Sequence, residues 1–577
     1  MESLYSWTAF PSYIIHLRSQ KQTNRFVIPT MVTRLLQRTL LFLSTGGEAN
    51  EQCQPEAFPK YFPIENGSPQ NPTRGSAFKS ESPLLASATA EWVWSCVSNK
   101  GKQSSEQMRR LGDIVAKVHW LSCEKIAHAS DSDSSSSAAA AGVENGPENN
   151  GQKQMSSLVS HFGVRRCIDV LCKLASNIHT ITSPELDVLG IGMYPFTATV
   201  NHSCSPNCAV VYKGKQQALR TICPIGKDEE LKISYCDNTF PSCINRRHLL
   251  HGYKFWCSCE RCHCADHCIS HALQENNLPL RSRELTMKHR EIYLIGLLCS
   301  VEDGKCEGLA IPDLAPSETI RTFEMKKEEY ESEPALCSPP FQQICKEIQE
   351  KQPSSLTFGF LLYEFFSSLD TLVSNSLSSG GEFQSNSALL DRILSVTWRC
   401  CSCGSCLDKS ILKKLLRYYQ VATDNLGALQ SSNISTKDRE RSIHALDTVF
   451  FELEKISSRW HFLLLQVSET LTREYVDMGN YRKALQFATI VASRTEDSLD
   501  VASLKCTVHW VMVAKLHWYL NDAKETLNTL ESKVIPKLNL FYGSASDDSV
   551  DTNSLVNSMH DLRAQAQTQV RYQDYCT

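Results

Sequence analysis

The cysteines constrain this chain more than any other feature. Of 25, ten fall between Cys204 and Cys268 and four between Cys400 and Cys406. Cys257, Cys259 and Cys262 form C-x-C-x-x-C, a compact three-thiolate knuckle. Structural zinc takes four ligands in a tetrahedron, with thiolates at about 2.3 Å, so a fourth ligand must come from elsewhere. Cys204 and Cys208 are the upstream candidates; His263, Cys264, His267 and Cys268 compete from downstream. The total is odd and the opening residues do not read as a secretory leader. Metal ligation in a reducing compartment is therefore expected rather than a disulfide framework.

Charge and length narrow the remaining classes. The 577 residues carry 59 Lys+Arg against 63 Asp+Glu, a net charge of −4. That balance gives no global basic field, so direct nucleic-acid binding is not expected. No run of about 20 apolar residues occurs, so no membrane span is expected either. The length suggests roughly three or four domains of about 150 residues.

Composition shifts divide the chain. Residues 1–82 read as an atypical N-terminal segment and linker. Residues 1–46 carry Arg18, Lys21, Arg25, Arg34 and Arg38 against one acid, Glu2. A basic, acid-poor start of this kind keeps organelle targeting open. Residues 83–128 have helical spacing. Residues 129–156, with Ser-Asp repeats and an alanine run, have almost nothing to bury and are expected to be a disordered insertion. Leu158, Val159, Phe162, Val164, Ile168, Leu171 and Leu174 then recur at helical steps.

The pattern changes after residue 177. Gly190-Ile-Gly-Met-Tyr-Pro195 is a glycine-marked bend, and Asn201-His-Ser-Cys-Ser-Pro-Asn-Cys208 is polar and turn-rich. Short strands are predicted at Ala209–Tyr212, Gln217–Thr221 and Glu230–Tyr235, with Lys213-Gly214-Lys215 turning between the first two. A helix over Ile244–Tyr253 leads into the knuckle.

These motifs, in this order, resemble the SET-domain protein methyltransferases, and more narrowly the SET-and-MYND group. The resemblance runs from Asn177 to Cys262. It implies an α+β fold: small SET-type β-sheets around a knot-like active site, and a post-SET zinc knuckle. The SET domain's catalytic half would occupy 157–242 and the post-SET knuckle 243–270. The resemblance further implies that Asn177, Asn201, His202 and Phe255 hold S-adenosylmethionine. It makes Tyr235 the catalytic tyrosine and Tyr253 a second wall of the lysine channel. It gives Cys208 as the zinc ligand joining Cys257, Cys259 and Cys262. The implied substrate is a lysine-bearing protein, histone or non-histone. Two parts of that group are not evident: a glycine-rich first SET half, and a MYND module, for which Cys53, Cys96 and Cys123 are too few. A second reading follows, a SET-like scaffold that binds partners without turnover.

Residues 280–577 read as a mostly α-helical, tetratricopeptide-like domain. Helical spacing covers Leu412–Tyr419, Ile443–Lys455, Trp460–Met478 and Tyr481–Arg494. Leu471, Tyr475, Gly479, Tyr481 and Ala484 fit a helical hairpin turning at Gly479-Asn480, with a looser copy over Leu516–Leu530 that sets Ala523 against Ala484. Such arrays present concave surfaces to protein partners. Within this region Cys403-x-x-Cys406 looks like half a zinc ribbon, which Cys299 and Cys306 could complete. Residues 374–388 read as a linker. A monomer in the nucleus, the cytoplasm or both is expected.

Overall fold

The computed structural model describes Met108, Val115 and residues 163–577, apart from short stretches of which 237–241, 279–284, 301–305, 315–338, 351–353, 379–386 and 544–553 are the main ones. The calls on 1–82 and 129–156 lie outside the described residues. So does most of 83–128, where Met108 and Val115 are both helical. The described chain divides into two compact units, one of 163–180 with 190–199, the other of 181–189 with 200 onward.

The first unit is built on α1 (Val164–Asn177). Its apolar stripe buries Cys167, Ile168, Val170, Leu171 and Leu174, as the three- and four-residue spacing requires. Strands β1 (Ile178–Thr182) and β2 (Val188–Met193) each run across the unit boundary, since 181–189 belong to the second unit. A short α2 (Pro195–Ala198) starts on a proline, whose missing N–H costs nothing at a first helical position.

The second unit begins with minimal strands. β3 (Asn201–His202) lies parallel to β6 (Lys232–Ile233), pairing Asn201 with Lys232 and His202 with Ile233. β4 (Cys208–Lys213) and β5 (Gln216–Thr221) form an antiparallel hairpin. Gly214 turns it at φ +57°, a conformation glycine adopts without penalty. Helix α3 (Cys243–Leu250) precedes the knuckle, and α4 (Glu260–Glu275) follows directly from it. Next come α5 (Arg290–Ile295), β7 (Leu297–Leu298) and β8 (Leu309–Asp313). Helices α6 (Pro339–Glu350), α7 (Ser355–Ser378) and α8 (Ser387–Ser395) lead to β9 (Thr397–Cys400). Strands β7, β8 and β9 make one antiparallel sheet in that order. The linker reading of 374–388 is corrected at both ends: 374–378 are the last turn of α7, and 387–388 open α8.

The remaining helices are α9 (Lys409–Leu429), α10 (Thr436–Glu454), α11 (Phe462–Asp477), α12 (Tyr481–Asp497), α13 (Leu504–Tyr519), α14 (Ala523–Thr529), α15 (Ile535–Tyr542) and α16 (Ser554–Cys576). They pack mainly against neighbours in sequence, around Leu446, Leu464, Leu471, Ala484, Phe487 and Ala514. The hairpin turns have one design. Gly479 and Asn521 both sit at positive φ, and the next residue caps the following helix. Asn480 accepts from the Lys483 N–H, and Asp522 from the Glu525 N–H. This alignment corrects the expected match of Ala484 with Ala523. Ala484 lies four residues past its cap, so its counterpart is Thr526, whose hydroxyl bonds back to the Asp522 carbonyl at 2.7 Å. No described helix is long and apolar enough to cross a membrane.

Candidate active site and metal centre

Four sulfurs converge where the polar loop meets the knuckle: those of Cys204, Cys257, Cys259 and Cys262, all within 4.8 Å of one another. Cys204 Sγ lies 3.9 Å from Cys257 Sγ and 3.6 Å from Cys262 Sγ. A zinc–thiolate tetrahedron with bonds of about 2.3 Å has sulfurs about 3.8 Å apart, so the donor set and its spacing fit zinc. The crowding has an electrostatic signature. Hydrogen bonds to Cys236 first, and then to Cys257 and Cys259 of the group, hold the Cys204 thiol well below its ordinary range. The bond to Cys204 pushes Cys257 far up. Four thiols cannot all ionise side by side unless a cation shares their charge.

The fourth ligand is therefore Cys204, and the expectation of Cys208 is corrected. Cys208 opens β4 opposite Thr221, and its side chain packs with Val200 and Ile233 in a small apolar cluster. Burial raises its thiol, which makes it a core residue.

Buried charge surrounds the sulfurs. Arg246 is fully buried; its Nη2 donates to Glu291 at 2.8 Å and to Cys262 Sγ at 3.8 Å. Arg261 donates to the Cys204 carbonyl at 3.2 Å and lies 3.6 Å from Glu291. Burial alone would raise the Glu291 carboxyl, but Arg246, Arg261 and Arg290 hold it below the usual range. A zinc ion held by four thiolates would carry two negative charges, which Arg246 and Arg261, shared with Glu291, would offset in part; such outer partners orient and tune a metal's ligands. A second ion pair, Arg247 with Asp266, is bidentate at 2.8 and 2.5 Å. Arg247 also donates to the Cys257 carbonyl at 3.2 Å and lies over the Trp256 ring at 4.4 Å. Gly359 of α7 passes so close that a Cβ there would meet Asp266 Oδ1 at 1.8 Å. Sequence reading missed these charges, because a basic residue in a polar segment looks solvated until its partners are placed.

Next to the sulfurs stands an aromatic group. The Tyr235 N–H donates to His202 Nδ1 at 3.0 Å. That leaves the imidazole proton on Nε2, which lies 3.3 Å from Cys204 Sγ and donates to it. One ring thus links the strand of Tyr235 to a metal ligand. The Tyr235 ring lies 5.3 Å from His202 and 5.0 Å from Tyr253, and Phe255 lies 6.0 Å from His202. The Tyr235 hydroxyl donates to the Val200 carbonyl at 2.5 Å. Burial raises the Tyr235 phenol and pushes Tyr253 to about 12, so both are neutral at physiological pH.

The parallel β3–β6 pair brings these groups together, and Asn207 pins it. The Asn207 amide donates to Glu229 and to the Glu230 carbonyl, and its Oδ1 accepts from the Lys232 N–H at 2.8 Å. Asn207 had been read only as part of the polar motif. Asn201 is exposed, and its amide donates to Glu230 at 2.6 Å. Asn177 belongs to the other unit, where it closes α1 and its amide donates to the Lys173 carbonyl at 2.7 Å.

Comparison with known proteins gives the class. Residues 77–236 match the SET domain. The chain's curated relatives narrow that further. Histone-lysine N-methyltransferase SMYD3 of Mus musculus is 29% identical over 188 residues, 30% of this chain and 43% of that protein. The Homo sapiens SMYD3 is 38% identical over 98 residues, 17% of this chain and 23% of its own. Histone-lysine N-methyltransferase ASHR1 of Arabidopsis thaliana is 33% identical over 115 residues, 19% and 24% respectively. The matches span less than half the length of each relative. Over these stretches the chain is similar to SET proteins of the SET-and-MYND type.

Proposed function

We propose that the protein is an S-adenosylmethionine-dependent protein-lysine N-methyltransferase acting through His202, Tyr235, Tyr253 and Phe255. The observation that carries this reading is the aromatic group fixed beside the sulfur centre. Aromatic faces attract cations, and none of these four rings carries a carboxylate that would trap one. A sulfonium and a lysine amine both suit such walls, and the chain's relatives are named lysine methyltransferases.

The cofactor, when bound, supplies an electrophilic methyl on a sulfonium, whose leaving group is a neutral thioether. The protein then has to align the amine, exclude water and keep the amine unprotonated. Lysine has an ordinary pKa of about 10.4, and an apolar channel lowers it by disfavouring the charged form. Tyr235 gives its proton to the Val200 carbonyl, so its oxygen lone pairs remain able to accept from an amine N–H and orient its nitrogen. Tyr253 walls the channel. Asn201, His202 and Phe255 hold the cofactor, Phe255 against its base. Cys204 and the knuckle assemble the site without entering the chemistry. The substrate is a lysine of a protein, histone or non-histone, with partners engaged on the helical region. The free thiols among the described residues suit the reducing nucleus or cytoplasm.

Calorimetry with S-adenosylmethionine, followed by transfer of labelled methyl to a protein panel, tests the reading. Tyr235→Phe is expected to keep cofactor binding and lower transfer by roughly 10²-fold or more, the scale of losing one positioned polar group. Absence of cofactor binding at high protein concentration would sink the proposal.

A further inference from the structure

The second cysteine cluster lies outside the site just described. Cys299, Cys306, Cys400 and Cys403 place their sulfurs within 4.8 Å of one another. Cys299 and Cys403 are 3.6 Å apart, and Cys306 and Cys400 are 3.7 Å apart. Both distances match the edge of a zinc–thiolate tetrahedron, about 3.8 Å.

The backbone around them forms two knuckles at the ends of one sheet. Cys299 follows β7, Cys306 precedes the first residue of β8 by three positions, and Cys400 ends β9. The Gly308 N–H donates to Cys306 Sγ, and the Ser402 N–H donates to Cys400 Sγ, both at 3.4 Å. Gly404, at φ +71°, turns the chain back so that its N–H reaches the Cys400 carbonyl at 2.9 Å. The motif is thus Cys400-x-x-Cys403-Gly404, and the expected pair Cys403 and Cys406 is corrected. Cys406 is exposed, bridged by backbone to Arg399, and outside the set. Gly308 admits no side chain: a Cβ would meet Ser402 Oγ at 2.6 Å and Cys400 Sγ at 2.7 Å.

We propose that these four cysteines bind a second, structural zinc that closes β7, β8 and β9 into a zinc ribbon. The ribbon is a strut between two parts of the same unit. The Cys401 carbonyl accepts from the Leu278 N–H at 3.0 Å, just beyond the helix that begins at the post-SET knuckle. From the other side, the Leu298 N–H donates to the Ile456 carbonyl and the Ser458 N–H to the Gly296 carbonyl, at 2.9 and 3.0 Å. Metal in the ribbon therefore holds the end of α4 to the segment between α10 and α11.

The test is metal content of the full chain purified with thiol reductant and no added metal. Two zinc ions per chain are expected. Cys306→Ser and Cys400→Ser should each lower the count to one, and Cys259→Ser should also leave one. A wild-type count of one that Cys259→Ser abolishes would overturn the proposal, as would iron in place of the second zinc. The native chain gives a check that needs no variant. Cys306 and exposed Cys403 should resist iodoacetamide until a chelator is added; immediate alkylation of both would count against a bound metal. None of these readouts depends on methyl transfer.

Discussion

The segment from residue 200 to 275 and the helices from 409 to 542 belong to one compact unit but are held together differently. The helical segment is stabilised by apolar packing of Leu446, Leu464, Leu471, Ala484, Phe487 and Phe541, where a buried leucine or phenylalanine contributes about 1.5–3 kcal/mol. Beside the six-residue hairpin β4–β5, the SET segment has only the two-residue pair β3–β6, and it buries Arg246, Arg247, Arg261, Asp266 and the sulfurs of Cys204, Cys257 and Cys262 within about sixty residues. Strands that short cannot carry a core of their own. Buried ion pairs, and the metal its sulfurs could hold, add to what Val211, Ile244, Leu250 and Ile269 bury with the helices, at the cost of needing every partner present. The lesson is one of failure modes: apolar packing fails gradually and buried charge fails all at once.

The largest test of that contrast is removal of the metal. Structural zinc contributes roughly 10–16 kcal/mol of apparent binding free energy in small domains at neutral pH. Chelation or Cys259→Ser should therefore unfold residues 200–275 and leave α10 to α13 protected, read by amide hydrogen exchange. Equal loss of protection in both segments would break the comparison. Arg246→Met comes next. It strands Glu291 among buried groups, and breaking such a pair costs about 3–5 kcal/mol, visible as a lower denaturant midpoint. Gly359→Ala follows, at about 1–3 kcal/mol for an overpacked contact, because its methyl must displace the Asp266 carboxylate.

The smallest effect sharpens the helical side. His461 is buried, caps α11 by accepting from the Leu463 N–H at 3.3 Å, and has its pKa lowered to about 3 by burial. The unfolded chain binds a proton near pH 6.5 and the fold does not. Stability therefore falls as pH drops below 6.5, by up to about 1.4 kcal/mol per unit. Exchange of α11 amides at pH 7 and pH 5 should show this slope, and His461→Asn should flatten it while keeping a cap.

The two segments also differ in how far sequence reaches. The helices were legible because burial on one face imposes a 3.6-residue period, and Gly479-Asn480 marks a turn by its chemistry. The hairpin Cys208–Thr221 was legible for similar reasons. Cys204 and Cys208 were not separable, since both stand in one polar run and the choice depends on which faces the knuckle and which faces Val200. Arg246 and Glu291 lie 45 residues apart, with no local pattern to join them. In the ribbon, Gly404 fixes the knuckle one step earlier than Cys403-x-x-Cys406 suggests.

Gly308 bears on how variation in this protein should be read. It donates no ligand atom and carries no charge, yet its missing side chain is what lets Cys400 and Ser402 sit where they do. A coding change there would look conservative by any scale of size or polarity, while every cysteine stayed in place. Judging a variant by whether it touches a ligand would pass it as harmless; judging it by the space the ligands require would not.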